Sequence, residues 1–142
     1  MRKLAMMAVL LATATTAGAT WNQSRVDGDD LRWVSSPDEN MRLILRTRST
    51  GKLDVYVDFR NTFGRGDQEV NGLKTVWVFV WFDGKAFGTE DWPTGVEGRS
   101  MFVPDKSVSR YVEKIRNSET MTVEVLRPVD DVKLRATFDL RR

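Results

Sequence analysis

Carboxylates, arginines and tryptophans are the side chains of this sequence that could do chemistry, because the chain contains neither histidine nor cysteine. The absence of histidine removes the usual general base near neutral pH and the commonest metal ligand. The absence of cysteine removes thiol nucleophiles and thiolate zinc sites. A serine–histidine–aspartate triad cannot be built, and no glycine-rich phosphate-binding motif occurs. We therefore expect no catalytic residues, no metal site and no cofactor, and a binding protein in preference to an enzyme.

The adjacent carboxylates Glu90 and Asp91, beside Trp92, are the best remaining candidates for catalysis. Two carboxylates that flank a glycosidic bond can hydrolyse it. Neighbouring residues of a strand point to opposite faces of a sheet, however, so the pair is better explained as the polar end of a strand. A small carboxylate-based glycoside hydrolase stays as a rival hypothesis.

The strand predicted over residues 73–82 is apolar on both faces. One face carries Trp77, Phe79 and Trp81, and the other carries valines. A strand of this kind is covered on both sides, and one amphipathic helix is the available cover, so we expect Trp77 and Trp81 to be core residues beneath it. The alternative is an aromatic face left partly open for a protein partner or a sugar ring. In that case Trp77, Trp81 and Trp92 are the candidate binding residues.

Arg42 and Arg46 alternate with apolar residues on another predicted strand, so both point to the same face of its sheet. Together they would form a stripe that binds an anionic ligand. Charged outward positions also discourage aggregation of a sheet, which is the plainer interpretation. Arg42 and Arg46 are therefore candidate binding residues with a structural alternative.

Alternating apolar residues in several short segments predict the strands that must position these side chains. Residues 41–46 and 53–59 alternate around a Ser-Thr-Gly turn and predict a hairpin with one buried face. One segment has helical spacing, and its apolar residues are Val108, Tyr111, Val112 and Ile115. Short strands with frequent turns are typical of sandwiches and barrels. We predict an all-β fold, a small β-sandwich or partly open barrel of about seven to eight antiparallel strands with one short helix between the late strands.

The amino terminus has the three parts of a secretory signal peptide. Two basic residues follow the first methionine, an apolar run covers residues 4–12, and small residues lead to Ala19. The run is far shorter than the ~20 residues that cross a bilayer. We predict a signal peptide over residues 1–19 and a single β-sandwich domain over residues 20–142. The mature protein is then periplasmic or secreted and is not a transmembrane protein.

Removal of the signal peptide changes the charge of the chain. Arg2 and Lys3 lie in it, so the 22 basic residues of the chain fall to 20 and balance its 20 acidic residues. Proteins that bind nucleic acid carry a basic patch or stripe. We therefore expect no nucleic-acid partner.

Several short motifs resemble the TagO/VasI-like family of type VI secretion accessory proteins. They lie at residues 43–46 and 53–57, at 82–85 with Trp92, at 101–104, at 121–125 and at 136–140. One departure is Thr47, at a position where members of the family often carry a cysteine. The resemblance implies an accessory domain in the cell envelope, and it supplies no catalytic residues.

These observations predict an exported, non-enzymatic envelope protein that acts as an accessory or protein-binding module, with another envelope protein as its partner. The resemblance adds an association with type VI secretion. The alternatives are a module that binds a carbohydrate or a peptidoglycan fragment, and the small hydrolase described above.

Overall fold

The computed structural model describes residues 21–142, and the predicted signal peptide over residues 1–19 lies outside them. The strands of the first sheet are β1 (Asn22–Val26), β2 (Asp29–Ser35), β3 (Met41–Thr47), β4 (Leu53–Phe59) and β8 (Ser100–Phe102). They are antiparallel and lie side by side in the order β1-β2-β3-β4-β8.

The second sheet is built around one long central strand. Its strands are β5 (Gln68–Val70), β6 (Leu73–Phe82), β7 (Lys85–Pro93), β9 (Thr120–Leu126) and β10 (Lys133–Asp139). β6 pairs with β5, β7 and β9, while β10 pairs with β9. A 3-10 helix (Asp105–Ser107) and helix α1 (Val108–Asn117) lie between β8 and β9. Two antiparallel sheets with one short helix between late strands confirm the predicted all-β sandwich.

The described residues form ten strands, compared with the seven to eight predicted. The two additional strands are β1 and β5. Most residues of β1 and all residues of β5 are exposed. A strand without a buried face has no alternation of apolar residues, so its sequence does not predict it.

One hydrophobic core fills the space between the sheets. Leu43 and Val57 point into it from the first sheet, and Val78, Val123 and Phe138 point into it from the second; all five are 0 % exposed. Leu43 lies opposite Val57, which confirms the predicted β3–β4 hairpin. Full burial of such a side chain stabilises a fold by about 1.5–3 kcal/mol.

A two-residue turn joins β6 to β7. Asp83 and Gly84 have positive φ angles of 53° and 78°, as a type I′ turn requires, and glycine adopts such angles without strain. The Asp83 carboxylate accepts hydrogen bonds from the backbone N–H groups of Glu119 and Thr120 at 2.8 and 3.0 Å. The turn therefore also fixes the start of β9.

Helix α1 packs on the inner side of the second sheet. Its predicted apolar stripe is buried, and the Tyr111 ring lies 6.1 Å from the ring of Phe82 and 5.7 Å from the ring of Trp92. Both partners belong to the core. The expectation that α1 covers Trp77 and Trp81 is therefore wrong.

Strand β7 holds the start of helix α1. Glu90 lies opposite Val78 of β6, on the inner face of the second sheet. The Ser107 hydroxyl donates a hydrogen bond to Glu90 Oε2 at 3.1 Å just before α1 begins. This contact ties the beginning of the helix to β7.

Candidate functional site

The outer face of β6 presents aromatic side chains to solvent. Trp77 is 47 % exposed and Phe79 is 37 % exposed, whereas Val78 between them is fully buried. A contiguous apolar surface on a soluble domain commonly marks an interaction site. This face, and not the core, therefore holds the residues best placed to bind a ligand.

A groove lies beside these rings because two strands share one edge of β6. Thr75 pairs with Gln68 of β5, and Phe79 pairs with Glu124 of β9, so neither strand pairs with residues 76–78. The resulting groove has a volume of about 420 Å³. We call it the Trp77 groove; its apolar lining includes Trp77, Phe79, Leu126 and Pro128.

The Trp77 groove also contains hydrogen-bond acceptors without partners. Asp67 and Asp131 line it, and their carboxylates make no hydrogen bond or ion pair within residues 21–142. Thr75 lines it as well; this residue is 2 % exposed and its hydroxyl oxygen is buried without a partner. Glu124, by contrast, accepts a hydrogen bond from Arg135 at 2.9 Å and lies 3.9 Å from Lys133. The groove therefore joins an aromatic wall to two carboxylates, those of Asp67 and Asp131, that are open to a donor.

Gly66 brings Asp67 to the groove. Its N–H group donates a hydrogen bond to Thr94 Oγ1 at 3.0 Å, and its α-carbon packs so closely on Thr75 that an added Cβ would collide with the Thr75 carbonyl group. Only glycine permits this approach of two backbone segments. The long loop before β5 is thereby held against β6.

Trp81 lies on the same face as Trp77 but is covered by the chain itself. The guanidinium of Arg135 lies over its ring, 4.8 Å from the centroid. The ring of Phe79 meets it edge to face at 6.4 Å. Trp81 is consequently half-buried and supports the position of Phe79 more than it offers surface to a ligand.

Trp92 is a core residue. It is 0 % exposed, and it lies opposite Val76 on the inward face of the second sheet. Its ring packs edge to face against Tyr111. The hypothesis that Trp92 binds a ligand is wrong, because the pleat of β7 turns its side chain away from solvent.

Arg42 and Arg46 lie on the outer face of the first sheet, and each has a carboxylate partner. Arg42 donates a hydrogen bond to Asp58 at 3.1 Å, and Arg46 donates two to Asp54 at 2.8 and 3.0 Å. Burial raises the pKa of Asp54, but hydrogen bonds from Arg48 and Arg46 outweigh burial and leave that pKa below its usual value. Asp58 and Asp54 balance the charges of Arg42 and Arg46, which favours a structural role for both arginines over binding of an anionic ligand.

The adjacent carboxylates Glu90 and Asp91 point to opposite faces of β7, as the strand period predicts. Glu90 lies opposite Val78 on the inner face, and Asp91 lies opposite Trp77 on the outer face. Asp91 Oδ1 is buried and has no hydrogen-bond partner within residues 21–142. Asp91 therefore adds a carboxylate beside Trp77, on the side of the ring that faces β7.

Burial raises the pKa of Tyr111 well above its usual value, and the neighbouring charge of Glu90 raises it further. A buried phenol beside Glu90 is consistent with a packing role for Tyr111 in the core.

Among the described residues, no group of three or more acidic side chains is arranged to hold a metal ion. Within the same part of the chain, no helix has both the length and the apolar composition needed to cross a membrane.

Comparisons with known proteins give no match to a family model, to a curated protein or to a solved structure.

Thr75, Asp67 and Asp131 were not among the predicted site residues. The loop over residues 61–72 did carry a signal, because a connection of that length is commonly functional. No signal pointed to Asp131, which reaches the groove only when the turn between β9 and β10 folds beside β6. The sequence pattern does not distinguish Thr75 from the other residues on the outer face of its strand.

Proposed function

We propose that this chain is an exported, non-enzymatic module that binds another envelope protein through the Trp77 groove. The observation that carries the proposal is the exposure of Trp77 and Phe79 beside a groove of about 420 Å³. Aromatic residues are enriched at protein interfaces, and exposed tryptophans often contribute most of the binding free energy. A groove with an aromatic wall and open acceptors supplies both apolar contact and specificity.

Catalysis is the less favoured function. The chain lacks the histidine and cysteine side chains on which most acid–base and nucleophilic mechanisms depend. The carboxylate pair that could replace them is divided between the two faces of β7. The resemblance to TagO/VasI-like proteins extends the proposal to an accessory role in type VI secretion within the cell envelope.

Binding of a carbohydrate or peptidoglycan fragment is the second candidate function. The observation that favours it is the same pair of half-exposed rings, since an aromatic side chain with polar neighbours suits a ligand with apolar and hydroxylated faces. Asp67 and Asp131 would then accept hydrogen bonds from sugar hydroxyl groups. The two candidates differ in the class of molecule that the groove retains.

Site-specific photocrosslinking in the native envelope tests the proposal. A photoreactive phenylalanine analogue replaces Phe79 beside the groove, and the same analogue replaces Trp33 on the outer face of the first sheet as the control. We expect a crosslinked protein from position 79 and none from position 33. Trp77→Ala should abolish the crosslink from position 79 because it removes the adjoining wall of the groove.

Two results would contradict the proposal, and a third would support the carbohydrate function. Equal crosslinking from positions 79 and 33, or a crosslink that survives Trp77→Ala, contradicts binding through the groove. Retention of the chain on immobilised chitin or peptidoglycan fragments, lost on Trp77→Ala and without any protein crosslink, supports the carbohydrate function instead.

A further inference from the structure

Five aromatic rings at or near the surface of this protein lie beneath its own arginines. Five rings have a guanidinium over them at 4.8–5.6 Å: Trp21 with Arg142, Trp33 with Arg42, Tyr56 with Arg46, Phe87 with Arg110 and Trp81 with Arg135. Trp77 is the most exposed tryptophan, and no cation from residues 21–142 lies over it. Its indole therefore offers a π-face of the kind that the chain elsewhere uses to hold an arginine.

The acidic side chains of the Trp77 groove favour a cation in that position. The Trp77 groove is lined by three carboxylates and one lysine, and the carboxylates of Asp67 and Asp131 have no partner within the described residues. Asp91 adds a further carboxylate beside the ring. A cation near these groups gains from Coulomb attraction and from the quadrupole of the indole together.

The placement of the two unpartnered carboxylates distinguishes an arginine from other cations, because they come from two separate connections of the chain. A guanidinium has five N–H donors and no acceptor, whereas an ammonium is a compact charge that cannot spread donors across a groove. Acceptors on separate elements, Asp67 before β5 and Asp131 after β9, suit the wide, planar group.

We propose that the Trp77 groove binds an arginine side chain presented by the protein partner, a proposal that rests on the function proposed above. The guanidinium stacks on the indole of Trp77 and donates hydrogen bonds to Asp67 and Asp131. The partner thereby completes at Trp77 the arrangement that Arg135 already makes at Trp81.

Two blocked tripeptides test the proposal. The first is acetyl-Val-Arg-Val-amide, and the second carries citrulline in place of arginine, which keeps the shape of the side chain and removes its charge. Both are titrated into the full chain produced by a secreting host, and the indole N–H resonance of Trp77 is followed by NMR after assignment with Trp77→Phe. We expect the arginine peptide to bind about tenfold more tightly, because a cation–π contact and a carboxylate pair together supply about 1.4 kcal/mol.

A double variant isolates the carboxylates. Asp67→Asn combined with Asp131→Asn should bring the two peptides to nearly equal affinity. The melting temperature should not fall, because neither carboxylate has a partner within the described residues that the change would remove. Glu113→Gln, on the exposed side of α1, removes one negative charge far from the groove and should leave the preference for arginine unchanged.

The outcomes separate this inference from the proposed function. Equal affinity for the two peptides, or an unchanged preference in the double variant, overturns arginine binding, and crosslinking at position 79 then judges the proposed function on its own. A Trp77 shift caused by a chitin oligosaccharide, without a preference between the peptides, overturns it in favour of a sugar. A clear preference for arginine without any crosslink at position 79 supports the ligand chemistry and contradicts an envelope protein as the partner.

Discussion

Trp77 and Trp92 should respond very differently to replacement by alanine, although both were candidate binding residues. Trp92 is 0 % exposed and contacts Tyr111 in the core, whereas Trp77 is 47 % exposed on the outer face of β6. The same substitution therefore removes the same atoms from two different environments. The pair is an internal comparison in which composition and net charge stay equal.

The expected magnitudes follow from the buried areas. A buried tryptophan side chain removes about 200 Å² from water, which at about 25 cal/mol per Å² corresponds to about 5 kcal/mol as an upper bound. Trp92→Ala should accordingly lower the free energy of unfolding by about 3–5 kcal/mol. Trp77 buries about half as much, so Trp77→Ala should cost about 1–2 kcal/mol. A difference of about 2 kcal/mol corresponds to a gap of about 8 °C between the two melting temperatures.

Urea denaturation followed by far-UV circular dichroism measures both values, because that signal does not depend on the tryptophan that was removed. The slope of the free energy against urea should be similar in the two variants if both unfold from the same fold. An equal loss of stability in Trp77→Ala and Trp92→Ala would refute the reasoning. It would mean that the Trp77 ring is covered and that no aromatic groove exists.

Two further predictions concern the first sheet and the amino terminus. Asp54→Asn should lower the free energy of unfolding at neutral pH by about 1–2 kcal/mol, because the Asp54 carboxylate accepts hydrogen bonds from Arg46 and Arg48. The pKa of Asp54 is lowered in the fold. The stability that its carboxylate contributes is therefore present above the unfolded pKa of about 4 and is lost as the pH falls through the folded pKa. Parallel stability–pH curves for wild type and variant would contradict this prediction. The intact mass of protein recovered from the envelope should match a chain that starts at Thr20, and a chain that keeps Arg2 would contradict export by a cleaved signal.

Much of the fold followed from alternation in the sequence. β3 and β4 each have one buried face, so the alternation that includes Leu43 and Val57 predicts both strands and their pairing. The buried stripe of α1 has helical spacing that includes Tyr111 and Ile115, which predicted the helix equally well. β1 and β5 bury almost no side chains, so their sequences lack the alternation of apolar and polar residues that predicts a strand.

The candidate site was predictable only in part. The period of a strand placed Trp77 and Phe79 on one face, but it could not decide which face α1 would cover. That choice depended on contacts made in three dimensions, such as the hydrogen bond from Ser107 to Glu90 and the packing of Tyr111 on Trp92. The acceptors Asp67 and Asp131 come from separate connections of the chain and meet Trp77 only in three dimensions. The spacing of these residues along the sequence does not indicate that they lie close together in the fold.

The close packing of Gly66 on Thr75 has a consequence for how this surface can change over time. A mutation of Gly66 to any residue with a side chain would push the loop away from β6 and withdraw Asp67 from the groove, without replacing any residue of the groove lining. The ligand preference of the groove would then change through substitution of a residue that does not contact the ligand. Among any related sequences, glycine at this position and an acidic residue directly after it should be inherited together, and loss of the first should release the second to vary.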